Sequence, residues 1–170
     1  SQMFTAIDSV PLTAIAFFML TGELMTSATI TDRLVALSRA LIGRIRGGLA
    51  QVNVLVSMFF AGMNGSVVAD TATVGALVLP AMKKAGYPAA FSAAVTGVSS
   101  TIGGIIPPSI MMIVLANATE ISIASLFAAG IVPGILIGVV IMVINHYFAV
   151  KYNFERSDEP FSVRRAGKEL

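Results

Sequence analysis

The sequence predicts an all-α integral membrane protein in which transmembrane helices accompany a re-entrant helical hairpin and a broken helix. Composition indicates the membrane: 56% of the 170 residues are hydrophobic, 12% are charged and the mean hydropathy is +0.87. A soluble domain carries about 25% charged residues, so this chain cannot cover a water-facing surface. Two long stretches with turn formers in their middle, residues 47–82 and 85–119, predict the hairpin and the broken helix.

Composition also excludes several functions. The net charge is only +2 and the basic residues punctuate apolar segments, so no nucleic-acid partner is expected. The chain has no cysteine, which excludes disulfides and thiolate chemistry, and its single histidine cannot build a metal centre or a nucleophile–base pair. We therefore expect no enzyme and no cofactor. The first residues lack the pattern of a signal peptide, and the chain reads as a piece of a longer protein.

The first two segments differ in kind. Residues 1–30 hold an apolar segment, 11–27, which is interrupted only by Glu23 and is just long enough to span the hydrocarbon core. Residues 31–48 form a basic amphipathic arm helix that lies at the lipid interface and ends at Gly47-Gly48. Its apolar positions recur at helical spacing: Leu34, Val35, Leu37, Leu41, Ile42 and Ile45.

Residues 49–86 are predicted to be the re-entrant hairpin. Helices over 50–63 and 67–82 are each short for a full crossing, and Asn64-Gly65-Ser66 between them are turn formers. Positive charges flank both ends of the segment: Arg33, Arg39, Arg44 and Arg46 before it, Lys83 and Lys84 after it. A single long crossing would place these flanks on opposite faces, which the positive-inside rule disfavours.

Residues 87–120 are predicted to be a discontinuous transmembrane helix. Gly103-Gly104 and Pro107-Pro108 favour non-helical backbone between half-helices over 88–102 and 109–119.

Residues 121–151 are predicted to be a short interfacial piece over 121–128 followed by a span over 131–150. Glycines every fourth residue give this span a small-residue face for close packing: Gly130, Gly134 and Gly138. Residues 152–170 form a polar cytoplasmic tail. In this topology all 11 Lys and Arg residues lie on the cytoplasmic face.

The two breaks predict a sodium site. The carboxyl ends of half-helices, near Met63 and Ile102, offer carbonyl oxygens and partial negative charge, while Ser, Thr and Asn side chains add neutral oxygens. The predicted Na⁺ ligands are Asn64, Gly65, Ser66, Ser99, Ser100, Thr101 and Gly103. Local hydrogen bonding within the helices is the alternative role for these Ser and Thr side chains.

The amino ends of the returning half-helices predict a carboxylate site beside the ion. Their amide N–H groups and partial positive charge suit an anionic group. The predicted substrate-binding residues are Ser66, Val67, Pro108 and Ser109.

Asp70 is the one charged residue between Arg46 and Lys83. An ionisable side chain inside a membrane segment is expensive and by default marks a functional site. Two roles are open from the sequence: it caps the amides of the second hairpin helix, or its charge balances a bound cation.

Three stretches resemble the large membrane (M) subunit of TRAP transporters, the tripartite ATP-independent periplasmic transporters of bacteria and archaea. They are Phe60-Ala-Gly-Met-Asn-Gly-Ser-Val-Val-Ala-Asp70, Pro80-Ala-Met-Lys-Lys-Ala-Gly86 and Ser99-Ser-Thr-Ile-Gly-Gly-Ile-Ile-Pro-Pro-Ser109. The resemblance implies an elevator-type fold of two inverted repeats, of which this chain covers one. It also implies multi-pass insertion in the cytoplasmic (inner) membrane.

The resemblance also implies partners and a function. A small membrane subunit accompanies the large one, a periplasmic binding protein delivers an organic acid, and Na⁺ drives its uptake. Two alternatives remain open. One is a divalent-anion or citrate type of carrier that works without a binding protein; the other is a structural membrane subunit with no transport site of its own.

Overall fold

The computed structural model describes residues 10–27, 30–42 and 45–154, and all regular secondary structure within them is helical. Arg44 and most of the predicted cytoplasmic tail, from residue 155 on, lie outside the described residues. The elements in chain order are α1 (Val10–Ser27), α2 (Ile30–Ile42), α3 (Gly48–Asn64), α4 (Val67–Lys84), α5 (Ala89–Ser100), a 3-10 turn (Thr101–Gly104), α6 (Ile110–Thr119) and α7 (Ile123–Lys151).

Helix α3 is the centre of the fold. It packs against α1, α2, α4, α5, α7 and the 3-10 turn, and most of its side chains are buried. Its apolar residues make the largest contribution to the core, together with residues from α4, α5, the 3-10 turn and α7. A helix with apolar side chains over most of its circumference is suited to this enclosed position.

Helix α2 packs its apolar face against the core. Leu34, Val35 and Ile42 contact the core cluster, while Arg33 and Arg39 are exposed on the other side. Part of the predicted apolar stripe of the arm helix therefore lies against protein, whereas Leu41 and Ile45 are 50% and 40% exposed. The expectation that Gly47-Gly48 ends this helix is wrong: residues 45–47 form a turn, and Gly47, at φ 73°, is the N-cap of α3.

Helices α3 and α4 form a helical hairpin with a two-residue connection. Gly65 ends α3 in the left-handed conformation, at φ 59°, and its N–H donates to the Ala61 carbonyl, 3.2 Å away. Ser66 is extended and begins α4. The turn therefore lies where Asn64-Gly65-Ser66 predicts it, because glycine adopts a positive φ without steric cost.

The second break is longer than the first. Helix α5 continues into the 3-10 turn, residues 105–109 are non-helical, and α6 begins after Ser109. The Pro107–Pro108 peptide bond is cis. Two half-helices joined by non-helical backbone are present, as the glycines and prolines predict.

Helix α7 is one continuous helix of 29 residues, so no separate interfacial piece exists over 121–128. Among the described helices it alone is long and apolar enough to cross a membrane, and most of its surface is exposed. Its buried positions form one stripe with a spacing of three to four residues: Gly130, Gly134, Gly138, Ile141, Asn145 and Ala149. The glycine face therefore packs within this chain, with Gly134 against Ile106 and Gly138 against Met58 of α3.

The start of α3, the end of α4 and the end of α7 lie at one end of the molecule. Gly47 contacts Ala149, and the Tyr87 and Phe154 rings are 4.7 Å apart between centroids. The basic residues that flank these helix ends therefore lie at the same end of the described structure: Arg46, Lys83, Lys84 and Lys151. Aromatic rings beside basic side chains are typical of the border between membrane and water.

Candidate functional site: the junction of the two helix breaks

The turn of the hairpin contacts the break between α5 and α6. The Ile110 N–H donates to the Gly65 carbonyl at 3.2 Å. A Cβ atom on Gly103 would lie 3.7 Å from the Val67 nitrogen, so this glycine lies against the start of α4. Gly65 has no room for a side chain, because its Cβ would collide with the Pro108 carbonyl oxygen. We call this contact between the two breaks the junction.

Two serines at the junction cap the helices that leave it. The Ser66 hydroxyl accepts a hydrogen bond from the Ala69 N–H of α4 at 3.4 Å. The Ser109 hydroxyl accepts from the Met112 N–H of α6 at 3.3 Å and donates to the Gly104 carbonyl at 2.8 Å. The two helices therefore begin side by side, each at a serine.

The junction is open on one side in this chain. Val68 in the first turn of α4 is 79% exposed, and Met111 in the first turn of α6 is 67% exposed. The positive ends of two helix dipoles thus meet at an accessible surface. Amide N–H groups and partial positive charge of this kind are suited to an anion such as a carboxylate.

Four of the predicted ion ligands lie at the junction: Asn64, Gly65, Ser66 and Gly103. The Asn64 side-chain oxygen accepts from the Ser66 N–H at 3.1 Å and so tightens the turn. The predicted substrate-binding residues Val67, Pro108 and Ser109 also lie there.

The other three predicted ion ligands lie away from the junction turn. Thr101 is exposed, and its hydroxyl donates to the Val98 carbonyl at 2.6 Å. This is the hydrogen bonding within the helix that the sequence left open as an alternative to ion binding. Ser99 and Ser100 are fully buried where α5 packs against α3 and α4. The Ile102 carbonyl, near which an ion was expected, accepts two backbone N–H groups, from Ile105 and Ile106, at 2.9 Å each.

A buried polar cluster lies between α3, α4 and α5. Asn53 of α3 donates to the Thr96 hydroxyl at 2.7 Å, and the Ser57 and Ser99 hydroxyls are 3.1 Å apart. Ser99 in turn donates to the Thr96 carbonyl at 3.1 Å. These bonds tie the hairpin to α5 through polar groups that lipid could not satisfy.

Asp70 belongs to this cluster and does not cap α4. Its side chain is 0% exposed, and neither carboxyl oxygen has a hydrogen-bond partner in the described residues. The cap of α4 is Ser66, which accepts from Ala69 through its hydroxyl and from Asp70 through its carbonyl. The Ser57 and Ser100 hydroxyls are the side-chain groups that approach the carboxyl. The Asp70 side chain therefore makes no capping hydrogen bond in the described residues.

The sequence-based prediction missed Asn53, Ser57 and Thr96. A signal for two of them was present, because Asn53 and Ser57 lie four residues apart and therefore on one face of an otherwise apolar helix. That spacing indicates a polar stripe facing protein, since lipid would leave the groups unsatisfied.

Helices that break in the interior and turn their ends towards each other, beside a long apolar helix, are typical of membrane transport proteins. The family model of the tripartite ATP-independent periplasmic transporter, DctM component, matches residues 1–169. The chain belongs to this family.

Several relatives found by sequence comparison are named as permease proteins of TRAP transporters. The chain is 43% identical over 148 residues to the C4-dicarboxylate TRAP transporter large permease protein DctM of Pseudomonas aeruginosa, which covers 87% of this chain and 35% of that protein. It is 41% identical over 152 residues to the 2,3-diketo-L-gulonate TRAP transporter large permease protein YiaN of Escherichia coli, covering 89% and 36%. It is 38% identical over 153 residues to the sialic acid TRAP transporter large permease protein SiaM of Vibrio cholerae, covering 90% and 36%. The chain thus spans about a third of each relative's length.

Proposed function

We propose that this chain is one inverted repeat of a TRAP large permease and supplies half of a site for Na⁺-coupled uptake of a carboxylated organic solute. The observation that carries the proposal is the hydrogen bond from Ile110 to the Gly65 carbonyl, which brings two helix breaks together. In the bilayer such breaks are tolerated only where protein or a wet cavity surrounds them.

The solute class follows from the two helix amino ends. Helices α4 and α6 begin side by side at Ser66 and Ser109, where partial positive charge favours a carboxylate. The three relatives described above are named for a C4-dicarboxylate, sialic acid and 2,3-diketo-L-gulonate, and each of these solutes is a carboxylate at neutral pH.

Na⁺ is the proposed coupling ion, bound on the carboxyl-end side of the junction. The end of α3 and the 3-10 turn bring backbone oxygens and the Asn64 and Ser66 side chains to one place. Neutral oxygens are the ligands that a hard cation takes.

The remaining parts of the transporter lie outside this chain. A second repeat would cover the open side at Val68 and Met111 and complete the solute site. A small membrane subunit would hold the assembly in the inner membrane, a periplasmic binding protein would deliver the solute, and the hairpin with its broken helix would move as one elevator body.

The test is uptake by the complete permease with its small subunit, reconstituted in liposomes and supplied with binding protein and a labelled C4-dicarboxylate, sialic acid or diketogulonate in turn. We expect uptake of at least one solute only under an inward Na⁺ gradient. Matched liposomes carry K⁺ in place of Na⁺.

Each alternative predicts a different result. Uptake without the binding protein would indicate the divalent-anion or citrate type of carrier. Equal uptake with and without Na⁺ would overturn the choice of coupling ion. Unchanged uptake after substitution throughout residues 64–66 and 103–109 would indicate a structural subunit.

A further inference from the structure

Asp70 carries a buried carboxylate whose negative charge is not balanced by a neighbouring positive side chain in the described residues. It is 0% exposed, both of its oxygens lack a hydrogen-bond partner, and no positive side chain lies against it in the described part of the chain. An isolated buried charge is strongly unfavourable, so a stable structure requires a partner for it.

The partner must be small. This chain alone already encloses Asp70 completely, between α4 and the helices packed on it. An arginine or lysine from another part of the protein therefore has no surface through which to reach the carboxylate. A single ion or a proton fits such an enclosed position.

Two hydroxyl oxygens complete a three-sided arrangement around the carboxylate. Ser57 approaches it from α3 and Ser100 approaches it from α5. With the Ser99 proton on the Thr96 carbonyl, the Ser57 hydroxyl can donate to Ser99 and present its lone pairs to a cation beside Asp70. The Ser100 oxygen has no hydrogen-bond partner at all and is 0% exposed.

Acceptor oxygens that face one another repel unless a positive charge lies between them. Helix α5 ends at Ser100, so the negative end of its dipole adds to the carboxylate. One carboxylate balances one positive charge, and the described residues contain no group of three or more His, Cys, Asp or Glu side chains that would suit a divalent or transition metal.

We propose that Asp70, Ser57 and Ser100 form a buried site for a monovalent cation, with Na⁺ as the ion. The site is separate from the junction: it lies within the three-helix contact, whereas the proposed junction ion lies among backbone oxygens at the turns. The buried site therefore adds a second ion to the proposed function, and it can be tested independently of the proposed junction ion.

The test counts radiolabelled Na⁺ bound at saturation by the complete permease with its small subunit in detergent. We expect Asp70→Asn, which keeps the shape and removes the charge, to bind one Na⁺ fewer than the wild type. Ser100→Ala keeps the charge and removes one ligand, so its half-saturating Na⁺ concentration should rise by about tenfold. Ser38→Ala is the matched control, because Ser38 is also fully buried with an unpartnered hydroxyl but lies on α2.

A second measurement shows whether the variant folds. In Na⁺-free choline buffer, Asp70→Asn should melt at the same temperature as the wild type or above it, because it lacks the unpaired buried charge. In saturating Na⁺ the order should reverse, because only the wild type gains the bound ion. Ser38→Ala should follow the wild type in both buffers.

The junction variant Gly65→Ala separates the two proposals. If only the junction proposal fails, Gly65→Ala keeps the full Na⁺ count while Asp70→Asn loses one ion. If Asp70→Asn and Ser100→Ala both keep the wild-type count and half-saturation, the buried cation site is refuted. An unchanged Na⁺ count together with loss of the pH dependence of uptake in Asp70→Asn would assign a proton to Asp70 instead, and would equally overturn the proposal.

Discussion

Gly65 and Gly86 both have positive φ, at 59° and 82°, but only Gly65 meets a neighbour where a side chain would be. A Cβ on Gly65 would collide with the Pro108 carbonyl, whereas Gly86 has open space around it. Gly65→Ala and Gly86→Ala should therefore share a backbone cost of about 1 kcal/mol. Only Gly65→Ala should also separate the two breaks and reduce the proposed Na⁺-driven uptake by more than about tenfold. Uptake assays of both variants check this, and equal activity would show that the junction is not part of the transport site.

The serine caps allow a second comparison at the scale of single residues. Ser109 and Ser122 cap α6 and α7 with similar hydrogen bonds, of 3.3 and 3.4 Å, but only Ser109 lies at the junction. Ser109→Ala and Ser122→Ala should each cost about 1 kcal/mol of stability through loss of the cap. Ser109→Ala should in addition raise the KM for the solute several-fold, since the Ser109 bond to Gly104 also holds the break. Thermal unfolding and uptake kinetics distinguish the two effects, and an equal rise of KM in both variants would contradict a local role for Ser109.

Turn chemistry made the junction predictable, and burial made the polar cluster harder to predict. Gly65, Ser66 and Ser109 are residues with strong local preferences for left-handed or capping positions, so their roles follow from short sequence. Whether the side chain of a serine in an apolar helix faces a polar cluster depends on which helices pack around it. The sequence alone does not show how the helices pack. For this reason the sequence did not show that the Thr101 hydroxyl bonds locally to the Val98 carbonyl, or that Ser57 faces the buried polar cluster.

At the scale of elements, α7 depends on its glycines for close packing. A Cβ on Gly138 would meet the side chain of Met58 in α3, whereas Val139 beside it is 49% exposed. Gly138→Leu should push α7 away from α3 and cost about 1–3 kcal/mol. Val139→Leu should leave stability unchanged because it faces away from the core. Thermal unfolding of the complete permease in detergent checks the difference, and equal melting temperatures would show that this contact does not limit stability.

Helix positions were predicted well and helix ends less well. Charged residues and turn formers mark where an apolar segment is interrupted, so α1, α3, α4, α5 and α6 lie close to the predicted ranges. Gly47 was assigned to the end of the arm helix, but a left-handed glycine can also precede a helix, which it does before α3. The predicted separation near residues 129–130 fails because glycine within a long apolar helix is tolerated where neighbours pack closely.

At the scale of the whole molecule, the structure brings the basic flanks together. Arg46, at the start of α3, and Lys84, at the end of α4, lie at the same end as Lys151, because Gly47 contacts Ala149 and Tyr87 stacks near Phe154. Glu120 precedes α7, whose opposite end is Lys151. At 1.5 Å per residue the two ends of α7 are about 43 Å apart, which exceeds the hydrocarbon thickness of roughly 30 Å.

This arrangement predicts the sidedness of three exposed positions. The chain has no cysteine, so Arg46→Cys, Lys84→Cys and Glu120→Cys each introduce one thiol into this part of the permease. In intact cells a membrane-impermeant maleimide should label the cysteine at position 120 alone. The cysteines at positions 46 and 84 should become reactive only after the inner membrane is opened, since positive flanks favour the cytoplasmic face.

Labelling of positions 46 and 84 from opposite sides would mean that residues 48–84 cross the membrane, which the short turn at Gly65 and Ser66 opposes. Labelling of all three positions from one side would instead mean that α7 does not cross the membrane. The side from which the hairpin enters could then not be inferred from α7.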